Sequence, residues 1–208
     1  MNEVRRAYVV DDDEPFRTSL VDLLQAGGWY AQGFGSLQDF ADATVALDPG
    51  IVLLDLHLDG ASGLEFLEGQ SAALEAFAVV MVTGAGEIET AVRAMKAGAV
   101  DFVEKPFKAD ELLGRLDRIY ARFDAELHDR MARADAKRRV AALSTREREV
   151  LQRLLTGTSN KLIARELDIS PRTVEMHRAR MLGKLGAGTT AEAVEIGRRA
   201  ALSPVDRS

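Results

Sequence analysis

"AYVVDDDEPFRTSLVDLLQAGG", residues 7–28, is the stretch on which the fold turns. Four apolar residues, Ala7–Val10, run straight into Asp11, Asp12, Asp13 and Glu14. Phe16, Leu20, Leu23 and Leu24 then share one helical face, and Gly27-Gly28 closes the pattern. An apolar run, a polar break and a helical period make a βα unit. Taken alone, the acidic tetrad reads as a solvated turn ahead of a helix. The rest of the chain changes that reading.

The unit recurs. Ile51–Leu54, Phe77–Val82 and Ala99–Val103 are further apolar runs, with Tyr30–Phe34 a weaker one. Runs apolar on both faces belong to parallel strands covered on both sides. Helical periods lie between them at Ser36–Leu47, Gly63–Gly69, Ile88–Ala97 and Asp110–Arg122. This alternation over residues 1–122 predicts a doubly wound, five-stranded parallel α/β domain of the flavodoxin-like kind. In such sheets functional groups gather beyond the C-terminal strand ends. Asp11-Asp12-Asp13, Asp55, Thr83-Gly84 and Glu104-Lys105-Pro106 stand there. Clustered carboxylates raise one another's pKa and strain the fold unless a cation relieves them. A hard ion such as Mg2+ favours their oxygens. A carboxylate in that setting can act as a nucleophile toward a phosphoryl group. Lys105 would serve as a mobile cation, and Thr83 would offer a hydroxyl to a phosphoryl oxygen.

The second half is different. No glycine or proline occurs between Gly114 and Gly157, and Leu112, Leu116, Ile119, Phe123, Leu127, Met131 and Ala134 step by three or four. This predicts one long helix, with residues 123–142 a helical linker continuing the last helix of the first domain. Ser144-Thr145-Arg146-Glu147 is a capping box that starts a new helix. An all-α domain over 143–208 follows, with four short helices at 145–156, 160–167, 171–185 and 190–202. Ser170-Pro171 opens the third and Gly186 ends it. Short helices joined by tight turns read as a helix-turn-helix.

Charge divides the same way. Residues 1–122 hold 21 acidic and 10 basic side chains, a net of −11, and residues 123–208 hold 12 and 17, a net of +5, which together give the chain's −6. An acidic front and a basic back predict two domains with different partners, the second a nucleic acid. No apolar stretch approaches the ~20 residues that span a bilayer. The N-terminus lacks the apolar core of a signal peptide, so no membrane is expected and the location is expected to be cytoplasmic. The chain has no cysteine, which excludes a disulfide framework and a thiolate metal site.

"VVDDDEP", "VLLDLHLDGASGLEF", "VVMVTGAG" and "AVDFVEKPF" resemble the receiver domain of two-component response regulators over about residues 5–122. By position, the resemblance implies that Asp55 is the phosphoacceptor. It makes Asp11 and Asp12 the acidic pair that holds Mg2+ with Asp55 and the backbone carbonyl of His57. Thr83 and Phe102 become the switch pair, and Lys105 the phosphate partner. Asp13 and Glu14 remain helix-start charges favoured by the dipole. Asp59 stands where many receivers carry proline, and His57 and Ala85 are further departures beside the site.

"LSTREREVLQRLLTGTSNKLIARELDISPRTVEMHRARMLGKLGAGT" resembles the output domain of the LuxR, NarL and FixJ class. With a receiver in front, the chain is similar to a FixJ-type regulator of transcription, controlled by phosphorylation and not an enzyme. The implied partners are a cognate sensor histidine kinase, a second copy of the chain when phosphorylated, and double-stranded DNA carrying an inverted repeat. Helix 171–185 is amphipathic and suits a major groove. Lys161, Arg172, Thr173, Arg178, Arg180 and Lys184 are candidates for phosphate contact. Glu175, Met176 and Ala179 should face base edges. The small apolar residues Ala193, Val194, Ile196, Gly197 and Ala201 suit pairing of two copies. Two rivals stand beside this reading. One is a transcription factor whose receiver is unused and which a protein partner controls. The other is a Mg2+-dependent aspartyl-phosphate hydrolase, for which Asp11 and Asp13 supply an Asp-x-Asp. Pro15 and the lack of a separate cap domain count against that enzyme.

Overall fold

The computed structural model describes residues 4–70, 74–84 and 88–204. Ala85 lies outside them. The chain divides into two compact units, Met1–Ala125 and Glu126–Ser208.

The first unit begins with β1 (Arg6–Val10), α1 (Glu14–Ala26), β2 (Tyr30–Phe34), α2 (Leu37–Ala43) and β3 (Gly50–Asp55). A short hairpin of β4 (His57–Leu58) and β5 (Ala61–Ser62) follows, then α3 (Gly63–Gly69), β6 (Phe77–Thr83), α4 (Ile88–Lys96) and β7 (Asp101–Glu104). The main sheet is parallel with the order β2-β1-β3-β6-β7. This is the expected five-stranded doubly wound sheet, and the strand order reverses beside β1, between β1 and β3.

Strand side chains alternate between two apolar layers. Tyr8, Val10, Val52, Leu54, Val79 and Met81 pack on one face with Phe40, Leu64, Leu67 and Ala94. Ala7, Val9, Ile51, Leu53, Val80 and Val82 pack on the other with Leu20, Leu24, Leu112 and Leu116. Both faces are covered, which is why the strands read as unbroken apolar runs.

Three elements differ from expectation, one of them the last helix of the chain, which ends at Arg199 rather than at residue 202. Helix α2 ends at Ala43 rather than Leu47; Thr44 keeps helical dihedrals, its hydroxyl donates to Ala41 O at 2.7 Å, and residues 44–46 continue only as turns. The last strand starts at Asp101 rather than Ala99. Gly98 has φ +106 and the Ala99 N–H still donates to Ala94 O, so the chain is leaving α4 there.

Helix α5 spans Ala109–Ala141. The expected linker is less separate than the sequence implied. Phe123 packs on the core of the first unit beside Ile119 and Tyr120. Val140 is a core residue of the second, with Leu143, Leu151, Met181 and Leu185. The front of the apolar stripe, Leu112 to Phe123, is therefore packed on the first unit, whereas Met131 is 64% exposed.

The second unit continues with α6 (Thr145–Leu155), α7 (Asn160–Glu166), α8 (Pro171–Leu185) and α9 (Thr190–Arg199). Each N-terminus is capped by a hydroxyl, from Ser144, Ser159, Ser170 and Thr189. Val150, Ile163, Ala164, Leu167 and Val174 hold α7 and α8 together. Ala193 and Gly197, expected on a pairing face, are buried in this unit, and a Cβ on Gly197 would meet Leu155 and Leu151 at 3.3–3.5 Å. They pack inward on α6 and offer no pairing surface.

A carboxylate–lysine site at the strand ends, and a basic helix-turn-helix

Asp11 follows β1, Asp55 ends β3, Thr83 ends β6 and Lys105 follows β7, so the sheet brings four distant residues to one edge. All but Lys105 are buried. Lys105 Nζ donates to Asp11 Oδ2 at 2.7 Å and to Asp55 Oδ1 at 2.9 Å. The Lys105 N–H donates to the Thr83 carbonyl at 2.6 Å, which fixes where the lysine leaves the sheet. The Lys105–Pro106 peptide is cis.

The remaining carboxylate oxygens are also held. Asp11 Oδ1 accepts from the Asp13 N–H at 2.9 Å, and Asp55 Oδ2 from the His57 N–H at 2.9 Å. Asp12 Oδ2 accepts from the Asp59 N–H at 2.8 Å. Asp13 caps α1 through the Phe16 N–H, as expected of a helix-start charge. The β4–β5 hairpin, turning at Asp59-Gly60, thus ties the loop after β3 to the loop after β1. Gly63 closes this corner. A Cβ there would lie 2.0 Å from the Asp55 carbonyl oxygen, so α3 can start against the strand end only as glycine.

Burial pushes the Asp11 carboxyl up, and it stays above its ordinary value although Lys105 pulls it down. Burial pulls the Lys105 ammonium down, but hydrogen bonds and charge from Asp11 and Asp55 outweigh this and raise it. The site therefore has room for more positive charge. Among the described residues no three acidic or imidazole side chains converge into a ready-made metal cage. Mg2+ does not need one. It binds through one or two carboxylates and keeps several waters. The oxygen-only donors, and the burial that disfavours the charge on Asp11, fit such an ion.

Phe102 is half-buried on β7 against the same apolar layer as Met81, its partner in register. Thr83 is fully buried. Two residues at this edge escaped the sequence reading. Arg17 on α1 donates to the carbonyls of Asp11 and Asp12 at 2.6 and 3.4 Å. Gly33 leaves space for its stem, since a Cβ there would meet Arg17 Cγ at 3.0 Å. Phe16 places its ring 3.9 Å from Lys105 Nζ.

In the second unit Lys161, Arg172, Glu175, Met176, Ala179 and Arg180 are exposed, on α7 and α8. Met176 is 41% exposed, high for a large apolar side chain on a well-packed helix. The Thr173 hydroxyl is shared with Ser170 at 2.8 Å. Arg178 and Lys184 have partners within the unit. Arg178 donates to Asn160 Oδ1 at 2.6 Å and to the Thr190 hydroxyl, joining α7, α8 and α9. Lys184 donates to Glu147 Oε2 at 2.7 Å. Arg178 is half-buried and the Lys184 side chain still 43% exposed, so phosphate contact by either would compete with those bonds. Arg165, exposed on α7, joins the basic surface.

Residues 7–117 match the response regulator receiver domain, and residues 141–196 match the bacterial regulatory proteins of the luxR family. The chain is 41% identical over 195 residues to the transcriptional regulatory protein FixJ of Bradyrhizobium diazoefficiens, covering 94% of this chain and 95% of that one. FixJ of Azorhizobium caulinodans is 39% identical over 206 residues, covering 99% and 98%. The chain belongs to the FixJ-like response regulators.

Solved structures agree. Full-length FixJ from B. japonicum is similar at 40% identity with a TM-score of 0.58, covering 95% of this chain and 98% of that one. The response regulator StyR is similar at 32% identity with a TM-score of 0.83, covering 94% and 99%. A response regulator of this kind is a receiver joined to a LuxR-type DNA-binding domain, a transcriptional regulator rather than an enzyme. Among the described residues no helix is long and apolar enough to cross a membrane.

Proposed function

We propose that Asp55 accepts a phosphoryl group from a sensor histidine kinase, and that this controls promoter binding by the second domain. One observation carries the reading: a single ammonium, Lys105 Nζ, bridges the buried carboxylates of Asp11 and Asp55 at 2.7 and 2.9 Å. A carboxylate held this way is buried and oriented, with both oxygens fixed in place, as a nucleophile at a strand end needs to be.

An Asp55 oxygen forms a bond to phosphorus while the bond from phosphorus to the donor atom breaks. The donor atom leaves with that electron pair, and the product is an acyl phosphate. Lys105 follows the charge from carboxylate to phosphoryl oxygen. Asp11, Asp12, Asp55 and the His57 carbonyl would hold Mg2+. When bound, that ion offsets the negative charge of the incoming phosphoryl group. Thr83 meets a phosphoryl oxygen, and Phe102 moves into the space its shift leaves. Such coupling needs two arrangements that the phosphoryl group biases. The modified chain then pairs as a homodimer on an inverted repeat, with half-sites about one helical turn apart. Lys161, Arg172 and Arg180 meet phosphates, and Glu175, Met176 and Ala179 meet base edges.

Incubation of the full chain with radiolabelled acetyl phosphate and Mg2+ tests the acceptor. The expected result is one labelled site, lost in Asp55→Asn. Full labelling of the Asn variant would remove Asp55 from this role.

A further inference from the structure

Lys105 has a third neighbour. An ammonium carries three N–H donors. Two are taken by Asp11 and Asp55. The Phe16 ring lies against the same nitrogen, its centroid 3.9 Å from Nζ. That is well inside the ~6 Å reach of a cation–π contact. The ammonium is mostly withdrawn from water, with 22% of the side chain exposed, and such contacts strengthen on desolvation. Phe107 meets Phe16 edge to face at 6.1 Å and 73°, so a second aromatic ring packs against it.

The helical period assigns Phe16 to packing alone, and a leucine would pack there equally well. A leucine would offer nothing to the third N–H, which would then turn to water. A lysine side chain is long and flexible, so two carboxylates alone leave it free to rotate about their shared edge. We infer that Phe16 is a positioning residue for Lys105. Its ring face receives the third donor, fixes the ammonium on the Asp11–Asp55 edge and keeps water from that side. This rests on the reading of Asp55 as acceptor and Lys105 as its cation. It adds that the ring, through its electron density, sets how well the lysine serves.

Fluorination withdraws density from a ring face while nearly conserving its shape. The test replaces Phe16 in the full chain with mono-, di- and trifluorinated phenylalanine, and separately makes Phe16→Leu. The rate of labelling from acetyl phosphate should fall stepwise along the fluorinated series. It should fall about five- to thirtyfold in Phe16→Leu, the range that a partly to fully desolvated cation–π contact supplies. By NMR, the Lys105 side-chain methylene beside Nζ should show an upfield ring-current shift that Phe16→Leu abolishes. Equal rates along the series, or an unmoved Lys105 signal, would overturn the role of Phe16 and leave the acceptor reading intact. No label on Asp55 in the unsubstituted chain would overturn the acceptor reading and the role of Phe16 with it.

Discussion

Lys184 Nζ lies 2.7 Å from Glu147 Oε2, so helix α8 is tied to α6 through the carboxylate that also completes the α6 capping box. Burial pushes the Glu147 carboxyl up, but Lys184 and the Ser144 N–H and hydroxyl together hold it below its ordinary value. A carboxylate lowered in the folded state stabilises above its unfolded pKa, and the gain is lost as pH falls through the folded one. Glu147→Gln should therefore destabilise the second domain by about 1–2 kcal/mol at neutral pH. The gap should close as pH drops below about 4.3. Hydrogen exchange at the α6 and α8 amides measures it. A gap that persists in strong acid would contradict an ionic cause.

Gly63 should tolerate no side chain. The missing Cβ would stand 2.0 Å from the Asp55 carbonyl, so Gly63→Ala must push α3 off the strand end. A destabilisation of about 1–3 kcal/mol is expected from such overpacking. Trp29, the sole tryptophan, is buried in the first domain and reports its unfolding by fluorescence. Weaker labelling should accompany the loss of stability. An unchanged urea midpoint would mean that the corner yields easily.

The cations of the second domain should separate into two classes. Lys161→Ala and Arg172→Ala should weaken binding to all DNA sequences and lower the salt slope by about one contact each. Arg178→Ala should instead loosen the domain, because its guanidinium joins Asn160 to Thr190. Substitution of Met176 should shift base preference. Binding titrations over a range of salt, with thermal unfolding of each variant, distinguish these outcomes. A salt slope that falls in Arg178→Ala without loss of stability would return that residue to the DNA surface.

Helix α5 offers a test of how the receiver's state is passed on. One inserted residue turns everything downstream by about 100°, whereas four nearly restore the phase. One alanine after Arg130 should abolish the phosphorylation-dependent gain in DNA binding, and four should recover much of it. Equal responses in gel-shift titrations would make the segment a tether.

The strand-end residues were legible because the chemistry follows the fold. Apolar runs mark strands, strands end where ligands sit, and Asp11, Asp55, Thr83 and Lys105 all fall there. Capping hydroxyls at Ser144 and Ser170 were equally plain, since their partners lie three residues on. Partners at long range were not. Arg178 and Asn160 are 18 residues apart, and Lys184 and Glu147 are 37 apart, so nothing local shows that those cations are occupied. Phe16 has the period of a core residue and conceals its contact with Lys105. The small residues of α9 read alike whether they pack on their own domain or on a twin. The β4–β5 hairpin was not legible, since strands of two residues are too short to show a period.

The most direct measurement is the DNA affinity of the full chain at one salt concentration, before and after acetyl phosphate with Mg2+, in the unsubstituted chain and in Asp55→Asn. A coupling of about 1–3 kcal/mol between sites corresponds to a gain of roughly 5- to 150-fold. The expected result is a gain in that range for the unsubstituted chain and none for Asp55→Asn. Labelling of Asp55 without any change in affinity, or an equal gain in the Asn variant, would contradict control of DNA binding through Asp55.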